Sequence, residues 1–199
     1  MNDRFLHVEQ IEAIEDLHIL RETEGFLYIR KEYEAFSNRL WNAREQVISR
    51  KMSGVLLLGQ PGIGRYNKKH FLSILCPLIK YYAGKSFFLA FFLLECMSRG
   101  EIVLFTTDGW SYLIDESGVM YKGTKTITSL DLPRSGRTWS LLDSPVKKEP
   151  IPGNVTYQDP RLFFVAALSP DNIRYKEAVK FMAVKWWMDV WKSEEIFAL

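Results

Sequence analysis

The sequence predicts an α/β fold, in which a mostly parallel β-sheet is flanked by helices. Over residues 51–199, short apolar runs typical of buried strands alternate with helical patterns, and this alternation favours parallel strands joined by helical crossovers. The strand-like runs are Val55–Leu58, Ile102–Thr106, Thr138–Asp143 and Leu162–Leu168. The first of them is apolar on both faces, as a central strand of a parallel sheet requires.

Residues 1–50 have a helical pattern and form a separate N-terminal segment in this prediction. Apolar side chains recur at helical spacing in two stretches, Val8, Ile11, Ile14 and Leu17 and then Tyr33, Phe36, Leu40 and Ala43. The second helix is expected to end near Ser49. The α/β part then occupies residues 51–199.

Three further elements are predicted within the α/β part. A helix over Ser86–Ser98 is ended by Arg99-Gly100, and a β-hairpin joins Trp110–Ile114 to Val119–Lys122 through the turn Asp115–Gly118. After the last predicted strand, Ser169-Pro170 is typical of a helix start, because Ser caps a helix and Pro suits its first position. That last helix is expected to run from Asp171 to about Trp191.

A phosphate-binding loop is predicted after the first strand, but its sequence is divided. Gly59-Gln60-Pro61-Gly62-Ile63-Gly64 matches the front of the motif G-x-x-x-x-G-K-[ST], and the preceding strand is the context that this motif needs. Arg65-Tyr66-Asn67 follows where Lys and Ser or Thr are expected. The missing pair occurs at Lys85-Ser86, at the head of an apolar helix. Removing residues 65–84 would give an unbroken strand, loop and helix.

Residues 65–84 do not resemble an ordinary surface loop. They are rich in apolar side chains, and Pro77 interrupts their helical pattern. We interpret the segment as a translated intron, since its length preserves the reading frame and its residues are compatible with splice signals. Two alternatives stay open: a genuine insertion that carries a short helix, or a glycine-rich turn unrelated to the later Gly-Lys-Ser.

The predicted ligands are ATP and Mg²⁺, provided that the loop is complete. Glycines at 59, 62 and 64 allow backbone N–H groups to face phosphate oxygens at the positive end of a helix. Lys85 is expected to bind the β- and γ-phosphates, while Ser86 binds Mg²⁺ and Asp143 holds it through water. Ser169 is a candidate contact for the γ-phosphate, although a helix cap explains it as well. Ser144 follows Asp143 where a second acid could act as a base, so hydrolysis is expected to be slow.

Composition favours one ordinary globular domain and excludes several other classes. The chain has 47% hydrophobic residues and a net charge of +2, so no strong positive field indicates nucleic acid. His7, His18 and His70 lie far apart, and Cys76 and Cys96 show no zinc or disulfide spacing. The N-terminus lacks the apolar region of a secretory signal, and charged residues interrupt the most apolar window. An intracellular protein without a membrane span is therefore expected.

The motifs resemble those of fungal Crinkler-type proteins, relatives of retrotransposon-hot-spot proteins. The similar segments are GQPGIG joined to KSFFLAFFLLECMSRGEIVLF, then YLIDESGVMY, WSLLDS, FFVAALSPDNIRYKE and MDVWKSEEI. The resemblance covers about residues 25–199 and implies a P-loop NTPase domain, joined in longer relatives to a nuclease-like or variable C-terminal region. Here the loop is divided, and the resemblance leads us to expect a domain that is truncated at its C-terminus.

Two functions stay open at this stage. The first is an ATP-binding P-loop domain that acts as a nucleotide switch and is functional only when residues 65–84 are removed, so the chain as written is expected to be inactive. The second is a non-catalytic remnant or protein-interaction module, in which the fold is retained and the nucleotide site is lost. The sequence does not identify a protein partner.

Overall fold

The computed structural model describes residues 5–7, 26–46, 53–59, 84–107, 110–123, 132–133, 137–143, 159, 161–168, 179 and 183–189. These residues form nine strands and two helices. In chain order they are β1 (Phe5–His7), β2 (Phe26–Tyr28), α1 (Lys31–Gln46), β3 (Gly54–Leu58), α2 (Lys85–Ser98), β4 (Val103–Thr107), β5 (Trp110–Asp115), β6 (Gly118–Gly123), β7 (Thr138–Asp143), β8 (Leu162–Leu168) and β9 (Ala183–Trp187).

Seven of the strands form one mixed sheet in the order β6-β5-β4-β7-β8-β3-β9. The five strands from β4 to β9 in this order are parallel, and the β5–β6 hairpin extends the sheet antiparallel beyond β4. The predicted α/β class with a mostly parallel sheet and a hairpin is confirmed at this level. β3 lies between β8 and β9, so the strand that is apolar on both faces is internal, as expected.

The close pairing of β3 with β8 depends on a glycine. A Cβ atom at Gly54 would lie 2.2 Å from the backbone oxygen of Phe164 and 2.5 Å from its ring. Since real Cβ atoms do not approach other heavy atoms so closely, only glycine fits at the start of β3 without displacing β8. This pairing fixes where β3 ends, and therefore where the chain leaves the sheet at Gly59.

Both described helices belong to one core with one face of the sheet. α2 contacts β4, β7 and β8, and α1 packs on α2. Trp139 of β7 is fully buried at the centre, where its ring contacts Trp41, Phe92 and Phe163 at centroid distances of 4.9, 4.8 and 5.2 Å. Aromatic edge-to-face packing of this kind stabilises the layer beyond simple burial. α1 is thus packed onto the α/β part.

The predicted N-terminal pattern holds for α1 but not for the residues before it. Tyr33, Phe36, Leu40 and Ala43, the four apolar positions assigned to its inner face, are all buried. Residues 5–7 and 26–28, however, form an antiparallel pair of strands, so the helical interpretation of residues 1–50 is wrong there. The pattern at Val8–Leu17 lies outside the described residues. Three-residue strands are too short to show a period-two pattern, which explains the error.

The predicted helix from Asp171 to about Trp191 is wrong at its C-terminal end. Residues 183–187 form β9, which pairs in parallel with β3, and the N–H of Met188 continues this pairing to the oxygen of Leu58 at 2.8 Å. Trp186 is buried against the ring of Phe36, whereas Trp187 on the opposite face is 58% exposed. Val184 and the two Trp side chains favour a strand once a neighbouring strand is available. That neighbour, β3, lies far away in sequence, so local periodicity could not reveal it.

Candidate functional site

The ends of β3 and β7 and the start of α2 lie at the edge of the sheet where the parallel strands have their carboxyl ends. The chain leaves β3 at Gly59, and β7 ends at Asp143 with β8 between these two strands. α2 begins at Gly84 beside the same edge. In parallel sheets this edge is where ligands bind, because the strand ends and the helix N-termini point toward it.

Lys85 connects the start of α2 to the end of β3. Its Nζ atom donates a hydrogen bond of 3.3 Å to the backbone oxygen of Gly59. Burial lowers the pKa of the Lys85 ammonium below its usual range, and the nearby Asp143 carboxylate offsets part of this by raising it. The structure therefore brings the two ends of the divided motif together, although Lys85 lies 26 positions after Gly59 in the chain.

Ser86 connects the same helix start to β7. Its Oγ donates a 3.0 Å hydrogen bond to Oδ1 of Asp143, a residue 57 positions further along the chain. Asp143 is only 7% exposed. Because the serine hydroxyl uses its single proton in this bond, its two lone pairs point away from Asp143 and can coordinate a cation. Lys85, Ser86 and Asp143, three of the predicted site residues, therefore share one small region.

The first turn of α2 has the properties of an anion-binding end. It contains no acidic side chain, and its N-cap is Gly84, which has no side chain to cap the helix. Gly84 adopts φ 144° and ψ −159°, a combination that is essentially restricted to glycine. The backbone N–H groups of such a helix start carry partial positive charge and bind phosphate oxygens readily.

Tyr33 belongs to the site but was assigned only to the core by the sequence pattern. Its hydroxyl donates to the Gly84 oxygen at 3.0 Å and accepts from the Gly84 N–H at 3.2 Å. The aromatic ring contributes to the buried face of α1, so its helical spacing is fully explained without the hydroxyl. A phenol at a fully buried helix position was the one available signal, because a buried hydroxyl requires a partner.

The oxygen atoms of Ser86 and Asp143 suit a small hard cation that also takes ligands from outside the protein, rather than a metal site built entirely from protein side chains. Among the described residues there is no group of three or more His, Cys, Asp or Glu side chains that could hold a metal ion. One hydroxyl and one carboxylate are the oxygen ligands of the kind that Mg²⁺ uses when phosphates and water complete its shell. The residues present therefore fit Mg²⁺ bound with a phosphate ligand.

The remaining predicted site residues lie outside the described residues. These are Gln60, Pro61, Gly62, Ile63 and Gly64 of the loop, and Ser169 after β8. Ser144, which follows Asp143, is also outside them. The site described above consists of Tyr33, Gly59, Gly84, Lys85, Ser86 and Asp143.

Comparison with known proteins gives no match, so the assignment of a function depends on the geometry of the chain itself. No protein-family model, curated protein or solved structure matches the sequence or the fold. Within the described ranges, no helix has both the length and the apolar character needed to cross a membrane.

Proposed function

We propose that this chain binds a nucleoside triphosphate, with ATP as the expected ligand, together with Mg²⁺ at the carboxyl edge of the sheet. The observation that carries the proposal is the Ser86–Asp143 hydrogen bond of 3.0 Å beside the Lys85 ammonium. A Lys-Ser pair at a helix start and an acid at the end of a nearby buried strand are the residues that phosphate and magnesium require. Their sequence separation means that the fold, and not local chain geometry, joins them.

The strand order supports the same proposal by analogy of fold. Counted along the chain from β3, the parallel strands are β3, β4, β7, β8 and β9, and their spatial order is 5-1-4-3-2. P-loop NTPases with one strand between the phosphate-loop strand and the Walker B strand have this order. An analogy of fold does not establish an activity. It supports the proposal, because in that class a Lys-Ser pair at a helix start and an acid at a strand end are the phosphate and metal ligands.

Each residue has a separate role in the proposed site. In the proposed site, Lys85 donates to phosphate oxygens in place of the backbone oxygen of Gly59, because a hydrogen bond between two charged groups is stronger. Ser86 would offer an oxygen lone pair to Mg²⁺ while its hydroxyl continues to donate a hydrogen bond to Asp143, and Asp143 would hold the ion through water. When bound, Mg²⁺ neutralises phosphate charge. Ser144 supplies no carboxylate to act as a base, so we assign binding, with slow hydrolysis at most. This agrees with a switch of the Crinkler-like kind that the sequence resembles.

Calorimetric titration with ATP and Mg²⁺ tests the proposal. Lys85→Ala is expected to weaken binding by about a hundredfold, since charge-assisted contacts contribute about 1.5–3 kcal/mol and 1.4 kcal/mol is tenfold. Lys31→Ala, which removes an exposed lysine from the start of α1, is the matched control and should leave the Kd unchanged. Asp143→Asn should mainly reduce the dependence on Mg²⁺. A wild-type chain that binds no ATP, or equal effects of the two lysine variants, would exclude the site.

A second comparison concerns residues 65–84. A chain that lacks them, in which Gly64 directly precedes Lys85 in place of Gly84, should bind ATP about a hundredfold more tightly, because closing a 20-residue loop costs about 2.7 kcal/mol by (3/2)RT ln n. Sequencing of cDNA across the codons for Gly59 to Phe92 would show independently whether the segment is translated. Equal affinities of the two chains would identify the segment as a tolerated loop. Absence of binding by both would favour the remnant or interaction module.

A further inference from the structure

We propose that Tyr33 of α1 is a positioning residue for the phosphate-binding end of α2. This inference rests on the proposed nucleotide site and adds to it a residue that contacts no phosphate itself. It starts from the two hydrogen bonds that a single phenol hydroxyl makes to one glycine, at 3.0 Å to its oxygen and 3.2 Å from its N–H. A hydroxyl can donate once and accept at the same time, so both bonds form together.

The two hydrogen bonds between Tyr33 and Gly84 fix the direction of the backbone N–H of Lys85, the next residue in the chain. The Gly84 oxygen accepts from Tyr33 and also from the N–H of Phe88 at 3.0 Å, so both of its lone pairs are occupied. The peptide that joins Gly84 to Lys85 is planar and trans, with its C=O and N–H pointing in opposite directions. An oxygen held toward Tyr33 and α2 therefore holds the Lys85 N–H outward, away from the helix.

The hydroxyl of Tyr33 is itself held in place by its surroundings. Its ring is fully buried between Phe88 and Phe91, with centroid distances of 5.6 and 6.0 Å. The neighbouring Glu32 accepts a hydrogen bond of 2.8 Å from the N–H of Asp189, which ties this turn of α1 to the end of β9. A phenol with so little freedom can impose a backbone direction on Gly84 at small entropic cost.

Other contacts already hold α1 and α2 together at a distance from the site. Glu95 accepts hydrogen bonds from the Ser37 hydroxyl and, at 3.0 Å, from the Trp41 indole N–H. Glu95 lies ten residues after Lys85, about 15 Å along the helix at 1.5 Å per residue. Helix docking and the direction of the Gly84 peptides thus depend on different side chains. This separation makes the role of Tyr33 testable.

The test compares two variants that each remove one buried hydroxyl from the same face of α1. Tyr33→Phe is expected to weaken ATP binding by about tenfold and to accelerate amide exchange at Phe88, whose N–H bonds to the Gly84 oxygen, by a similar factor relative to Leu93. Ser37→Ala removes a bond to Glu95 and should change neither the Kd nor the ratio of exchange rates. A general loss of stability accelerates both amides together, so the ratio isolates the helix start.

The outcomes separate this inference from the proposed function. If the wild type binds ATP in a Lys85-dependent manner but Tyr33→Phe behaves like Ser37→Ala in both measurements, the inference is overturned and the function stands. If the wild type binds no ATP, the function fails, and the role of Tyr33 in phosphate binding fails with it. A tenfold change in Kd with the exchange ratio unaltered would also contradict positioning through Gly84.

Discussion

The two ends of α2 are built in opposite ways. Its C-terminus follows the rules for a stable helix end: Gly100 has φ 67°, its N–H bonds to the oxygen of Met97 at 3.0 Å, and the N–H of Glu101 bonds to the oxygen of Cys96 at 3.0 Å. These two bonds form a Schellman motif, which satisfies carbonyl groups that a helix end leaves without intrahelical partners. Every feature of this end stabilises the helix.

The N-terminus of α2 departs from those rules. It has a cation where the helix dipole favours an anion, no acidic residue in the first turn and no side-chain cap. Lys85 is also buried enough to lower its pKa. The proposed ligand would account for this difference between the two ends, since functional sites are where proteins depart from local rules. A phosphate would satisfy the cation and the helix N–H groups together.

The largest expected difference between the two ends comes from their glycines. Gly84→Ala should destabilise the fold by about 1–3 kcal/mol, because the φ and ψ values of Gly84 are restricted to glycine, and it should also abolish ATP binding. Gly100→Ala should cost about 1 kcal/mol and leave the Kd unchanged, since a Cβ there meets only Glu116 Oε2 at an ordinary 3.5 Å. Denaturant unfolding and calorimetry measure both effects. A loss of binding in Gly100→Ala would show that the ends are not independent.

A smaller effect of opposite sign is expected at Lys85. Lys85→Met removes a half-buried cation from the positive end of the helix, so we expect the free energy of unfolding to rise by about 0.3–1 kcal/mol while ATP binding weakens as it does in Lys85→Ala. Thermal unfolding without nucleotide gives the first quantity and titration gives the second. A destabilised Lys85→Met protein would mean that the bond to Gly59 stabilises the chain, and that Lys85 is a structural residue.

The sequence predicted most of the sheet, because four of its strands carry their own apolar signal. β7 and β8 have the predicted bounds, and α2 begins one residue earlier than expected. β9 was missed because its strand character depends on β3, which precedes it by more than a hundred residues. In the site, the motif identified Lys85 and Ser86, and the position of Asp143 at a strand end made it a candidate. Tyr33 was not identified, because spacing reports the burial of a ring and not the partners of its hydroxyl.

The pH dependence of Lys85 sharpens the comparison further. Burial lowers the pKa of Lys85 in the folded state below the usual 10.5. At lower pH, where Lys85 is charged, burial of the ammonium therefore reduces the free energy of unfolding by its full amount. As pH rises through the folded pKa toward the unfolded value, the folded state loses its proton first and the stability without nucleotide increases. ATP binding requires the ammonium and should weaken over the same window. Lys85→Arg should bind with no such change, because arginine stays protonated. A Kd that weakens equally in both would assign the titration to another group.

The smallest effect is expected at the C-terminal end, from Arg99. Its guanidinium pairs with Glu95 at 2.6 Å and lies 4.2 Å from the centre of the Trp41 ring, but its side chain is 47% exposed. Solvent screens such a pair, so Arg99→Ala should lower the stability by about 0.5 kcal/mol, which corresponds to roughly 1–2 °C in Tm for a chain of this size. The Kd for ATP should stay the same. Glu95 also accepts from Ser37 and Trp41, so a larger loss would show that Arg99 orients this carboxylate for α1. An altered Kd would show that the docking of α1 on the far end of α2 reaches Gly84, and the two ends of the helix would then act as one unit.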